Sequence, residues 1–352
     1  MMKQLTSRQQ KILDFIGRTD STPNRDILVS LRQSGEILSR VTLTRDLDIL
    51  IAESLIIREG KGRSVHYALS ATHPLLAHLD IEHYFLRTQD ERKEARQHFD
   101  FSIFDAAHHL FTAAELAPLD RLADDFRARL ETFSPTLVKK EFERLAIELS
   151  WKSSQIEGNT YTLLDTEVLL KEHREVAGHK REEAVMLINH KRAIEYVLER
   201  PENFREISRA RIEELHELLM RDLSIERGIR SQRVGITGTA FRPLGNRFQI
   251  EEAVEKLCAL VNKTPHAIEK AFLVLVMLPY IQPFEDGNKR TSRILADALL
   301  WAYHYCPLSF RSIDEKEYKK AVILVYELHN CSLMKKLFIE QFLFACENYF
   351  AR

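Results

Sequence analysis

Residues 281–293 read IQPFEDGNKRTSR, a polar run between two of the most apolar helical stretches in the chain. Proline disfavours helix at the residue before it, so Pro283 predicts the end of a helix spanning 268–281. Asn288 opens the next helix, read over 289–304. Backbone N–H groups at Gly287 and Asn288 would then face outward at a helix N-terminus, which is a ready site for an anion. Asp286 beside such a site would repel phosphate. A divalent cation removes that conflict, since Mg²⁺ is commonly held by one carboxylate together with phosphate oxygens and water. Arg290 and Arg293, three residues apart, fall on one side of the helix. Together these groups describe a site for a magnesium-bound nucleoside triphosphate. The plainer alternative is a helix–helix turn with an acidic start and solvated arginines.

The rest of the chain bounds what such a site can belong to. At 352 residues, with 45% hydrophobic and 29% charged, it reads as an ordinary globular protein of two or three domains. A formal net charge of −1 gives no overall pull toward nucleic acid or anionic membranes, so any such surface must be local. Cys258, Cys306, Cys331 and Cys346 are scattered without CxxC spacing, which argues against a zinc site or a disulfide framework. The first residues, MMKQLTSRQQ, lack an apolar leader, and the longest apolar run, 271–281, falls well short of the roughly 20 residues that cross a bilayer. A cytoplasmic protein is therefore expected. With 11 Gly and 10 Pro and little alternation, the fold is expected to be mainly helical.

Residues 1–72 form a small module of their own. Thr6 and Gln9 suit a capping box before Ile12, Leu13 and Ile16, which recur at helical spacing. Thr22-Pro23 starts a second helix, and Ser39 can cap a third, with Leu43, Leu47, Leu50 and Ile51 inward. Two β-branched runs around Gly60-Lys61-Gly62 read as a hairpin. Three helices and a two-stranded wing resemble the winged helix-turn-helix fold, which implies a recognition helix in the major groove and wing contacts to phosphate. Residues 1–70 hold eleven Lys and Arg against eight Asp and Glu. The candidate DNA contacts are Arg40 and Arg45 on the third helix and Lys61 and Arg63 on the wing. A protein-binding role for the same module is the alternative.

His73-Pro74 ends that module. Residues 73–117 are read as a connecting segment packed on the main domain, and 118–352 as helix after helix with charges between apolar stripes. The exception is 235–250, GITGTAFRPLGNRFQI, where three glycines, a proline and β-formers suggest an exposed hairpin.

PFEDGNKRTSR, residues 283–293, closely resembles the Fic (Fido) motif, HPFxDGNxRxxR, at Pro283, Phe284, Asp286, Gly287, Asn288, Arg290 and Arg293. SSQIEGN at 153–159 resembles the family's inhibitory motif through Ser153, Glu157 and Gly158, on a helix expected around 145–159. The resemblance spans roughly residues 100–350. It implies an all-helical fold with 235–250 as a flap that aligns a target segment by strand addition. It also implies AMP transfer from ATP to a hydroxyl of a protein, or of the chain itself. On the matched positions, Asp286 would hold Mg²⁺, Gly287 and Asn288 would cradle phosphates, and Arg290 and Arg293 would bind the β- and γ-phosphates. Phe284 would anchor the loop. Glu157 would pair with Arg293 where the γ-phosphate belongs, and members of the family often dimerise.

One position departs. The family motif begins with a histidine that takes the proton of the attacking hydroxyl, and this chain has Gln282. An imidazole with a pKa near 6.5 suits that role, whereas an amide can accept a hydrogen bond but cannot keep a proton at neutral pH. Glu285 and His304 are the candidates to replace it. Two readings follow: a slow, self-inhibited protein adenylyltransferase, or an ATP-binding but inactive transcriptional regulator that contacts DNA through residues 1–72. A bare dimerisation scaffold is the third.

Overall fold

The computed structural model describes residues 5–350 apart from 20, 21, 37, 53, 54, 71, 72, 78 and 80; of Arg18 and Arg63 it describes the backbone only. The chain divides into two compact units. The first comprises Met1–Leu86, Asp100–Pro118 and His329–Ser332, and the second Arg87–Phe99, Leu119–Leu328 and Leu333–Arg352. The segment 73–117 is thus not one piece, since Arg87–Phe99 belongs to the second unit.

In the first unit, α1 (Ser7–Thr19) is capped as its sequence suggests. Gln9 N donates to Thr6 Oγ1 at 3.3 Å and Thr6 N to Gln9 Oε1 at 2.9 Å. Strand β1 (Thr22–Pro23) leads into α2 (Asn24–Gln33), so Pro23 stands at the cap and not inside the first turn. Ser39 Oγ accepts from Thr42 N at the start of α3 (Arg40–Ala52). Strands β2 (Ile56–Glu59) and β3 (His66–Leu69) pair antiparallel, and β1 adds to the far edge of β3. The apolar faces of the three helices meet over this sheet, with Ile12, Ile16, Ile27, Leu43, Leu47 and Leu50 all but inaccessible. Asp46, on the inner side of α3, is buried among them and held by Arg8 at 2.5 Å and Gln9 at 3.2 Å. Burial of a carboxylate is tolerable because both partners come with it. Two short helices follow, α4 (Ile81–Leu86) and α5 (Ile103–Ala106).

The second unit is helical. It comprises α6 (Ala113–Thr132, of which Leu119 onward belongs here), α7 (Pro135–Ile156), α8 (Leu163–Glu172), α9 (Arg181–Glu199), α10 (Arg209–Leu219) and α11 (Arg247–Lys263). It continues with α12 (Ala267–Ile281), α13 (Asn288–Ala302), α14 (Glu315–Leu328) and α15 (Ser332–Asn348). At its centre α12, buried on every side, packs along α13. Around that pair stand α11 and α14 against α12, and α7, α9 and α10 against α13. The side chain of Ser134 caps α7 and that of Ser208 caps α10, as their residue type favours.

The expected hairpin over 235–250 is not a hairpin. Among the described residues it contains no strand; a turn at 237–238 is followed by a single bridge between Arg242 and His98. Two features explain the difference. Carbonyls that a ladder would use are taken by arginine side chains: Gln232 O and Leu244 O accept from Arg230, and Gly238 O from Arg92. Phe241 is drawn into the core between Tyr280 and Tyr326, at ring separations of 5.1 and 5.2 Å. The following helix also begins early, at Arg247, because Asn246 Oδ1 accepts from Phe248 N and Gln249 N.

Candidate active site

The loop 282–287 joins α12 to α13, and its shape follows from a few residues. Gln282 ends α12 in a left-handed conformation, φ 52°. Gly287 stands at the cap of α13 with φ 80°, a conformation that favours glycine, and a Cβ there would come within 2.6 Å of Met220 Cε, which would have to move aside. Phe284 is wholly buried and stacks on His216 at 3.7 Å. Burial pushes the His216 imidazole down to about 4, so it stays neutral and its Nε2–H donates to Asp286 O at 3.0 Å. Asn288 turns back into the loop. Its Oδ1 accepts from Phe284 N at 2.9 Å, while its Nδ2 donates to Phe284 O at 2.9 Å and to Gln282 Oε1 at 2.8 Å. The Asn288 side chain therefore shapes the loop from within rather than presenting its amide to a phosphate.

Gln282 is as fully engaged. Its oxygen accepts from Asn288, and its NH₂ donates to Pro279 O at 2.8 Å and Tyr326 Oη at 3.2 Å. Burial pushes the Tyr326 phenol well up, so that hydroxyl keeps its own proton. Arg230 fastens the loop from outside: its N donates to Pro283 O at 3.0 Å and its Nε to Gln282 O at 2.7 Å.

These residues floor a cleft of about 610 Å³ whose walls are Gly235–Gly238, Glu157 and the α14 residues Tyr318, Lys319, Val322, Ile323 and Tyr326. Gln282, Glu285, Asp286, Gly287, Asn288, Lys289 and Arg290 all line it. Arg290 is 2% exposed. Its Nη2 donates to Asp286 Oδ2 at 2.6 Å, yet its Nε and Nη1 are buried without any acceptor among the described residues. Unmatched donors on a buried cation cost several kcal/mol in aggregate unless an anion meets them, about 1–3 kcal/mol for each group. Asp286 reaches the cleft mouth with most of its carboxylate exposed; its Oδ1 accepts from Gly287 N at 2.6 Å.

Arg293 does not line the cleft; Glu157 stands in front of it. The Arg293 guanidinium, with no exposure, donates from Nη2 to Glu157 Oε1 at 2.9 Å and to Ser153 O at 3.0 Å. Its Nε donates to Ser153 Oγ at 2.9 Å and its Nη1 to Tyr318 Oη at 3.2 Å. Ser153 passes its own proton toward His190 Nε2, 2.9 Å away, while His190 Nδ1–H faces Met186 O. That direction fits a neutral ring, since burial and the charges of Arg290 and Arg293 push His190 down to about 3. Glu157, just past the end of α7, also receives Lys289 Nζ at 2.6 Å. Burial works to raise its pKa, but Arg293 and Lys289 overcome it and hold the carboxyl at about 2. Gly158 follows with φ 96°, a conformation that turns the chain away directly after Glu157.

The structure thus brings Gln282, Asp286, Gly287, Asn288 and Arg290 into one cleft with Glu157, and puts Arg293 and Ser153 directly behind it. Glu285 lines the cleft without an ion pair among the described residues, whereas His304, beyond the end of α13, does not line it. Sequence reasoning missed Lys289, His190, His216, Arg230, Tyr318 and Tyr326. A signal existed for His190, which shares a helical face with Leu187 and Ile194, so a polar ring was placed where an apolar one would pack. Arg40, Arg45 and Lys61 belong to the other unit and are exposed; the side chain of Arg63 lies outside the described residues. No group of three or more His, Cys, Asp or Glu that could hold a metal ion occurs among the described residues.

Comparison with known proteins agrees with this geometry. Residues 206–300 match the model of the Fic/DOC family. Protein adenylyltransferase Fic of Drosophila erecta is 30% identical over 171 residues, 48% of this chain and 34% of that protein. Its Drosophila melanogaster counterpart is 29% identical over 171 residues, 35% of its length. The chain spans about a third of the length of these curated relatives. Among solved structures, a fragment of Fic-1 from C. elegans shares the fold with a TM-score of 0.55 at 20% identity, over 67% of this chain and 70% of that one. A Fic domain-containing signaling protein from Bacteroides thetaiotaomicron does so with a TM-score of 0.54 at 20% identity, over 65% and 95%. Motif loop, helix order and family match agree: residues 206–300 match the Fic/DOC family, and the chain shares the fold of the solved Fic structures.

Proposed function

We propose that this chain is a self-inhibited protein adenylyltransferase, binding Mg-ATP in the 610 Å³ cleft and moving AMP to a protein hydroxyl. The observation that carries the reading is the Glu157 carboxylate, held by Arg293 and Lys289 at the cleft wall. A carboxylate there competes with a terminal phosphate for the same guanidinium. Once Glu157 leaves, Arg293 gains a free face toward the cleft, next to the unmatched Nε and Nη1 of Arg290. The first-turn N–H groups of α13 add a fixed positive end to the same wall. Asp286 suits magnesium as one exposed carboxylate at the cleft mouth, completed by phosphate oxygens and water rather than by a protein cage. Magnesium bound there would neutralise phosphate charge.

In the reaction the target oxygen bonds to the α-phosphorus, the bond to the β-phosphate oxygen breaks, pyrophosphate leaves, and the hydroxyl proton must go to an acceptor. Gln282 cannot take it, and its amide is already committed to Asn288, Pro279 and Tyr326. Of the carboxylates lining the cleft, Glu157 and Asp286 are paired with cations and Glu285 is not. Incubation with ATP labelled at the α-phosphate tests the reading, using Glu157→Gly and Glu157→Gly/Gln282→His. Label on protein in the Glu157→Gly variant supports it; label that appears only once Gln282→His is added, or ATP binding without label in both, overturns it.

The locked Gln282 favours a second reading, an ATP-binding regulator without transfer. Its DNA contacts would be Arg40 and Arg45, exposed on α3, with Lys61 and Arg63 beside the β2–β3 turn. Label absent from the Glu157→Gly variant, with ATP and duplex binding retained, would select it.

A further inference from the structure

His190 does not line the cleft, yet it touches the residue that holds Arg293. Its ring sits on α9 with no exposure, and a polar ring is tolerated there only because both nitrogens find partners. Those partners fix its state. Nδ1 lies 3.3 Å from Met186 O, which can only accept, so that nitrogen carries the proton. Nε2 is therefore bare and accepts from Ser153 Oγ at 2.9 Å. Burial, with the charges of Arg290 and Arg293, pushes the ring down to about 3, so it takes no second proton near neutral pH.

The consequence falls on Ser153. A serine hydroxyl has one proton to give, and inside a helix it commonly gives it to the carbonyl four residues back. Ser150, one turn earlier on α7, does so: its Oγ donates to Ala146 O at 2.6 Å. Ser153 sends its proton across to α9 instead. A lone pair is thereby left for α13, where Arg293 Nε donates to Ser153 Oγ at 2.9 Å. The chain His190–Ser153–Arg293 thus joins α9, α7 and α13 behind the cleft.

Most of what holds the Arg293 guanidinium is independent of Glu157. Nε stays on Ser153 Oγ, Nη2 on Ser153 O at 3.0 Å and Nη1 on Tyr318 Oη at 3.2 Å. Only the Nη2 bond to Glu157 Oε1 is open to exchange with an incoming anion. We propose that His190 is a positioning residue, which draws the Ser153 hydroxyl away from its own helix so that Arg293 keeps its orientation when Glu157 leaves. Without the ring, Ser153 takes the bond that Ser150 takes, its hydroxyl turns to Leu149 O, and Arg293 Nε loses its acceptor. A donor already fixed in place serves an anion better than one that must be ordered on arrival. That the anion is the terminal phosphate of a nucleotide rests on the adenylyltransferase reading; the hold on Arg293 does not.

The test reads Arg293 itself, by nuclear magnetic resonance of the full chain with isotope-labelled arginine and histidine. The Arg293 Nε–H signal is assigned by its loss in Arg293→Lys, and its exchange with solvent is measured. His190→Leu should speed that exchange by about tenfold, the weight of one hydrogen bond to a charged group. His190→Gln, whose amide reaches about as far as Nε2 and can accept the same proton, should restore the slow rate. Ser153→Ala breaks the link from its other end with little change in volume, and serves if His190→Leu does not fold. It should speed the exchange equally and leave His190 Nε2 without the signature of a hydrogen-bonded acceptor, and His190→Leu added to it should change nothing further. Unchanged exchange in both single variants, a loss in His190→Gln as large as in His190→Leu, or additive effects of the two changes overturns the proposal. A second arm compares Mg-ATP with Mg-ADP by calorimetry in the Glu157→Gly background. His190→Leu should narrow the preference for ATP by about tenfold and His190→Gln should keep it; equal weakening of both nucleotides assigns His190 to packing alone and overturns the proposal. The expected exchange rates in a Glu157→Gly chain that binds neither nucleotide leave His190 its role and sink the adenylyltransferase reading.

Discussion

Glu157 is ionised far below the usual carboxylate range, and this makes its pairing with Arg293 and Lys289 pH-dependent in a definite direction. Its folded pKa of about 2 lies below the ordinary 4.5, so the stability it contributes is complete above 4.5 and disappears as the pH falls through about 2. The difference in unfolding free energy between the natural chain and Glu157→Gln should therefore be constant from neutral pH down to about 5 and close below it. Chemical denaturation across that range checks the sign; a gap that widens in acid would contradict it. At neutral pH, Glu157→Gly should raise Mg-ATP affinity by about tenfold or more, because one charge-assisted contact to Arg293 is exchanged for a phosphate. Calorimetry reads this directly. In that background Gln282→His should increase AMP transfer by about 10²–10⁴-fold, the usual weight of a general base. Glu285→Gln should depress whatever transfer remains with Gln282 and matter little once His is present. A decrease equal in both backgrounds would assign Glu285 a structural part instead.

Among the elements, the junction between α12 and α13 carries the most demanding geometry. Gln282 and Gly287 both have positive φ, and only the second is a glycine. Gln282 holds its conformation through three side-chain hydrogen bonds, a compensation no local propensity would foretell. Gly287→Ala should cost about 1–2 kcal/mol from the left-handed backbone alone, before the collision with Met220. A urea midpoint matching the natural chain would show that the loop adapts. The flap was misread for a related reason. Glycines, a proline and β-formers over 235–250 suggested strands, but strand pairing depends on which partners the carbonyls find. Here two arginine side chains took them, Arg230 from within the same stretch of chain and Arg92 from far along the sequence.

At the scale of the molecule, the two units divide the chemistry. The helical one holds the cleft, and the one built from α1–α3 and β1–β3 holds Arg40, Arg45 and Lys61. Under the regulator reading, Arg40→Ala/Arg45→Ala in the full chain should weaken duplex DNA binding. It should also reduce the slope of log K against log salt by about 0.9 for each phosphate that is no longer neutralised. An unchanged slope would remove α3 from the interface. The helical character, the front module's helix boundaries and the motif loop were legible because each rests on local rules: apolar spacing, caps, and glycine and proline at turns. So was the pairing of Glu157 with Arg293, through the resemblance of two short motifs. What only the tertiary structure decided is where polar side chains direct their hydrogen bonds. Asn288 faces the loop, Gln282 is locked, Arg293 waits behind Glu157, and Arg230 clamps segments that meet only in the folded chain. Backbone conformation follows from neighbours a few residues away. A buried guanidinium or amide must instead find partners wherever packing puts them, and for Arg293 and Arg230 these include groups 136 and 52 positions distant.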